Sequence, residues 1–195
     1  MLTFTAAVFF LLITPGPGVL STAGIGASFG YGAGVRYIVG LFIGSNLVSL
    51  AVVTGLAAVI LADERIRTVL FFASFAYLLY LAARIAFAGA EIAFVSRARP
   101  PGVGGGIALQ AINPKAYAVG TALFTGFPLW QDAILAEIAF KFLMLNAIWV
   151  PIHILWLWAG VSLRRLELPA RTQRAINMGM ALSMVMVVVL AAWAA

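Results

Sequence analysis

Long apolar runs separated by short, arginine-bearing polar segments dominate the pattern of this chain. The runs cover residues 2–29, 37–62, 68–89, 106–127, 133–163 and 176–195. Each approaches or exceeds the roughly 20 residues that a helix needs to cross a hydrocarbon core of about 30 Å. The pattern therefore predicts an all-α integral membrane protein with six transmembrane helices. Pro15-Gly16-Pro17 interrupts the first run and Asn113-Pro114 the fourth. Four full spans with two re-entrant segments is thus a second reading of the same pattern.

Composition agrees: 64% of the 195 residues are hydrophobic and 9% charged, against about 25% charged in soluble domains, and the mean hydropathy is +1.10. Six helices use about 120 residues and leave about 75 for loops and ends, too few for a separate catalytic or binding domain. The expectation is a single transmembrane domain over 1–195. With no Cys and one His, disulfides, thiolate metal sites and His-rich metal sites are excluded, and no metal or cofactor is expected. The net charge of +6 does not imply nucleic acid, because the arginines fall between apolar runs rather than along one amphipathic face. No Lys or Arg precedes the first run, which is read as an uncleaved span because a secretory signal needs a positive leading region.

The arginines orient the chain. Arg36, Arg97, Arg99, Arg164, Arg165, Arg171 and Arg174 follow helices one, three and five, and Arg84 lies near the end of helix three. The opposite side carries only Arg65 and Arg67, offset by Asp63 and Glu64. The positive-inside rule then places both termini outside, with Trp130 and Trp193 at the outer interface and Tyr31 and Tyr37 at the inner one.

A weak internal repeat at an offset of 99 residues aligns Ile13-Thr14-Pro15 with Ile112-Asn113-Pro114, and Thr22-Ala23 with Thr121-Ala122. The halves, about 1–99 and 100–195, hold three spans each. An odd number makes the second half enter from the opposite side, a 3+3 inverted repeat whose helices one and four are interrupted by Pro, as in transporters. By helical rise, Pro15 lies roughly 19 Å from the outer face and Lys115 roughly 14 Å from the inner, so both breaks fall near the midplane. Pro15, Pro17 and Pro114 would free the carbonyls of Leu11, Ile13 and Gln110. Freed backbone groups at that depth must meet protein, water or ligand.

These residues resemble the LysE/RhtB superfamily of bacterial amino-acid exporters over most of the chain. The resemblance rests on Pro15-Gly16-Pro17, on Gly30-Tyr31-Gly32-Ala33-Gly34-Val35-Arg36 in the first inner loop, and on Gly40 and Gly44 in helix two. It continues in Tyr77-Leu78-Leu79-Tyr80-Leu81 and Asn113-Pro114-Lys115-Ala116. It implies efflux of amino acids or related small molecules by secondary transport, at the bacterial inner membrane. The chain departs from the family pattern at Gly18, where Asn usually follows Pro-Gly-Pro, and at Asn146, where an acidic residue often precedes the Trp of helix five. Gly18 removes an amide from the expected site, and Asn146 cannot carry a proton.

An ammonium near the bilayer centre costs about 2.5 to 3.5 kcal/mol on insertion scales, so Lys115, one of two lysines beside ten arginines, is assigned to a solute site. Asn46, Gln110, Asn113, Tyr117 and Asn146 are polar at membrane depth. Interhelical hydrogen bonding explains each singly, and as a cluster they suit an amino acid. The expected binding set is Pro15, Gly16, Pro17, Gly18, Asn46, Gln110, Asn113, Pro114, Lys115 and Asn146. Glu137 and Lys141, four residues apart, suit a structural helical ion pair, with coupling as the alternative role. His153, roughly 30 Å along helix five, is placed near the inner interface, structural before it is a proton relay. The glycines of Gly40-x3-Gly44 and Gly26-x3-Gly30-x3-Gly34 suit close helix approach.

Gly26-Ala27-Ser28-Phe29-Gly30 spells G-x-S-x-G, but it follows a membrane run and its one candidate His base lies in another span, which argues against a hydrolase. The glycines of 102–106 lack the G-x-x-x-x-G-K-[ST] continuation of a phosphate loop. The expectation is a non-enzymatic secondary transporter that exports a zwitterionic or cationic solute, an amino acid or related small amine. Its partners would be the solute and the bilayer, with proton antiport as coupling and a homo-oligomer compatible. A non-transporting scaffold subunit and a uniporter or channel are the alternatives.

Overall fold

The computed structural model describes residues 1–86, 99–130 and 132–166, with 169, 171, 172, 174–179, 181, 182 and 186 beyond them. Arg97, Trp193 and most of the sixth expected span lie outside the described residues. The elements are α1 (Leu2–Ile13), α2 (Pro17–Phe29), α3 (Tyr31–Val53), α4 (Leu56–Ala62), α5 (Glu64–Ala86), α6 (Val103–Ile112), α7 (Pro114–Thr125) and α8 (Ile134–Arg165). No strand occurs among the described residues.

Among the described residues, two helices are long and apolar enough to cross a bilayer, Tyr31–Val53 and Ile134–Leu163, and α1 with α2 adds a third as a pair bent by 49°. This is a multi-pass pattern. The first expected run is this bent pair, and the fourth is α6 and α7 joined at Asn113. In both, the proline supplies no amide hydrogen to continue the ladder and takes the first position of the next helix, where none is needed.

The second expected run begins earlier than its hydropathy suggested. Gly30, at φ 82°, turns the chain within one residue, a conformation that costs glycine little. The stretch from Tyr31 to Arg36, expected as a loop, is instead the opening of α3. Ala33, Gly34 and Tyr37 are buried there, and that burial outweighs the low helix propensity of the glycines. Tyr37 accordingly faces protein rather than lipid. It is fully buried and donates to Ser21 Oγ at 3.1 Å, whereas Tyr31 is exposed. The run also stops short of residue 62: α3 ends at Val53, and Gly55, at φ 77°, separates it from α4. Asp63 Oδ1 then accepts from the amides of Arg65 and Ile66 and starts α5.

Small residues set the packing. A Cβ on Gly106 would lie 2.5 Å from the Tyr37 carbonyl, and one on Gly44 2.7 Å from Gln110 Cβ, so α3 and α6 meet backbone to backbone. Gly26 meets the Leu157 carbonyl, and Gly160 meets Ala23, in the same way between α2 and α8. Beside these contacts lies one core that includes Tyr37, Leu41, Leu109, Trp149 and Leu157. A second joins Phe4 and Val8 of α1 to Leu123 of α7 and Leu145 of α8. Leu2, Val59 and Leu135 are among the apolar side chains left exposed, as a lipid-facing surface requires.

Candidate functional site

The first helix break leaves backbone groups open. α1 ends at Thr14, whose amide and hydroxyl both return to the Phe10 carbonyl, at 3.3 and 2.6 Å. Gly16 is extended, Pro17 opens α2, and no side chain caps that helix. Leu20 is the first residue of α2 whose amide is paired, to the Gly16 carbonyl at 3.0 Å. Among the described residues the amides of Gly18 and Val19 have no such partner, which leaves the positive end of the α2 dipole open.

The second break closes upon itself. Asn113 Oδ1 accepts from the Lys115 amide at 3.1 Å, and the Asn113 carbonyl accepts from Ala116 at 3.0 Å. Asn113 Nδ2 donates to Gln110 Oε1 at 2.8 Å, and its backbone amide reaches the Gln110 carbonyl at 3.3 Å. That carbonyl, expected to be free, is therefore occupied: a turn at Asn113 returns the amide that Pro114 cannot supply.

Lys115 joins the two breaks. Its Nζ donates to the Thr14 carbonyl at 2.5 Å, so the group released at the first break is met by the cation rooted at the second. A Cβ at 16 would lie 2.8 Å from Lys115 Cδ and 3.1 Å from Nζ, so a side chain there would push the lysine stem aside.

Beside this link lies a cavity of about 70 Å³ between α1, α2, α3, α6, α7 and α8. One water needs roughly 10–15 Å³, so there is room for several waters or part of a small solute. Of the expected set, Gly16, Gly18, Gln110, Asn113 and Lys115 line the wall. His153 joins them and is 4% exposed. The sequence placed it near the inner interface; the structure sets its ring in the cavity wall rather than on an exposed helix face. The His153 ring stacks on Trp149 with centroids 3.5 Å apart, and its Nδ1 lies 2.9 Å from the Trp149 carbonyl.

The other expected residues stand apart from the wall. Pro15 and Pro114 are exposed and Pro17 is buried in its own turn. Asn46 and Asn146 pair with each other, amide to amide, at 3.1 and 2.9 Å, which ties α3 to α8. Tyr117 donates to the Ala111 carbonyl at 2.7 Å. Glu137 and Lys141 form an ion pair at 2.7 Å in which the lysine side chain is 2% exposed. Glu137 also accepts from the amides of Leu129 and Trp130, and Lys141 donates to the Phe124 carbonyl. This pair fastens the loop between α7 and α8.

Ser45, Ser49, Thr14 and Trp149 line the cavity without having been anticipated. Ser45 is hydrogen-bonded to Gln110 Nε2. A signal existed for three of them: Ser45 and Ser49 are one turn apart beside Gly44, and Trp149 is one turn before His153. Among the described residues, the wall thus combines one ammonium, two open amides and several neutral polar groups, with no carboxylate. It is suited to hold an anionic group. A family model described as LysE type translocator matches residues 9–194. No curated protein and no solved structure matches the chain.

Proposed function

The chain belongs to the LysE type translocator family, a family of membrane transporters, and from that premise we propose that it exports an amino acid or related small amine from the bacterial cytoplasm by alternating access. The observation that carries this reading is the link from Lys115 Nζ to the Thr14 carbonyl. It brings two interrupted helices to the wall of one cavity, the arrangement by which secondary transporters hold a solute. The carboxylate of the solute rests on the open amides of Gly18 and Val19 and draws on the Lys115 charge.

The reading includes six spans in a 3+3 inverted repeat within one domain, both termini outside the inner membrane, and proton antiport. The repeat is supported by the spacing of the breaks and by the Asn46–Asn146 pair, which joins α3 and α8, the expected second spans of the two halves. The orientation rests on the arginine asymmetry. Coupling is needed for any cationic solute, because moving a charge out against an inside-negative potential costs about 2.3 kcal/mol per 100 mV.

Counterflow into proteoliposomes tests the proposal. A carrier loaded with unlabelled amino acid accumulates the labelled form transiently. An open pore equilibrates without overshoot, and a scaffold subunit moves nothing, so either result would overturn it.

A further inference from the structure

His153 presents a nitrogen that no hydrogen bond among the described residues uses. Nδ1 lies against the Trp149 carbonyl, and a carbonyl only accepts. In the neutral ring Nδ1 therefore carries the proton and Nε2 is left with a lone pair. Nε2 has no hydrogen-bond partner among the described residues. It faces the start of α2: a Cβ on Gly18 would lie 3.5 Å from it. The ring is 4% exposed and lines the cavity, so a buried acceptor and the open amides of Gly18 and Val19 border one small space.

We infer that His153 Nε2 receives the ammonium group of a solute whose carboxylate lies on the α2 amides and Lys115, so that the cavity selects neutral amino acids. The inference rests on the transport reading and narrows it. A zwitterion needs an acceptor and a donor set a few ångströms apart, and the wall offers both. An amine without a carboxylate would leave the α2 amides unmatched and meet the Lys115 charge. A dibasic amino acid would bring a second cation to a wall whose described residues include no carboxylate. Leu11, Leu12, Val119 and Leu145 complete the lining and suit an apolar side chain. Gly18 keeps Nε2 accessible, since a longer polar side chain there would reach it first.

Isothermal titration of the detergent-solubilised protein with leucine, 4-methylpentanoate and 3-methylbutylamine, and with the matching series from alanine and phenylalanine, tests the inference. The amino acid should bind roughly 10- to 100-fold more tightly than the acid lacking the amine, the range for one hydrogen bond to a charged group. The amine alone should be the weakest. His153→Phe keeps the stack on Trp149 and should lower amino-acid affinity to that of the deaminated acid, leaving the acid unchanged. Gly18→Asn, whose amide can occupy Nε2, should have the same effect without altering the ring. Equal binding of amino acid and deaminated acid, or unchanged discrimination in both variants, would overturn the inference and leave the transport reading standing. Binding of none of these solutes, with no counterflow of any amino acid, would overturn both.

Discussion

The two lysines of this chain occupy opposite electrostatic settings. Lys141 is sealed between Glu137 and the Phe124 carbonyl, and its partner carboxylate is itself held by two backbone amides. Lys115 rests on the Thr14 carbonyl, and among the described residues no carboxylate lines its cavity. A buried cation that is already neutralised serves the fold, whereas one with only a carbonyl keeps charge available for an incoming anion. The breaks differ in the same sense, since Asn113 caps α7 and no side chain among the described residues caps α2.

The largest effect is expected where neutralisation is broken. Glu137→Gln strands the Lys141 ammonium and should lower the melting temperature by on the order of 10 °C. Combining it with Lys141→Gln should recover most of that loss. The double variant should also transport better than Lys141→Gln alone at equal protein abundance, because no charge is left without its partner. A double variant worse than either single one would show that the pair does more than hold the loop.

Gly16→Asn would transplant the cap of the second break to the first. The new side chain can accept from the α2 amides and must displace the Lys115 stem, 2.8 Å from the added Cβ. Amino-acid affinity should fall by roughly 10- to 100-fold with the melting temperature held or raised. Retained affinity would mean that neither the open amides nor the Lys115 approach matters to binding. The smallest effect belongs to Asn113→Ala, which removes a cap worth about 1 kcal/mol, a shift of roughly 2–4 °C, with affinity nearly unchanged. Asn113→Ser, which keeps a capping oxygen without adding charge, should recover much of that loss, and thermal unfolding of the pair decides it.

The sequence made the breaks legible because proline permits few alternatives within an apolar run: α1 ends before Pro15, and α7 starts at Pro114. Lys115 stood out for a comparable reason, since a cation at that depth needs an explanation. Turn geometry and partner choice were hidden. A single left-handed glycine at 30 absorbed what looked like a loop of several residues. Asn46 and Asn146 carry the polarity of a binding cluster, yet complementary amides 100 positions apart satisfy each other, and only the packing of α3 beside α8 reveals it. His153 was placed by its distance along helix five, a count that says nothing of which neighbours its side chain meets, and its cavity-lining position emerges only from the packing. Ser45 and Ser49 gave too common a signal to distinguish from ordinary helix packing.

Efflux from amino-acid-loaded proteoliposomes by Lys115→Met, at matched protein content, tests most directly the claim that the unneutralised lysine serves the solute. Methionine keeps the length and apolar stem while deleting the charge, so membrane insertion should be easier and abundance should hold. Loss of a charge-assisted hydrogen bond should weaken binding by roughly 10- to 100-fold and efflux should collapse. Lys115→Arg should recover it only partly, because a planar fork does not fit the place of a compact ammonium. Near-normal efflux by Lys115→Met would contradict the account.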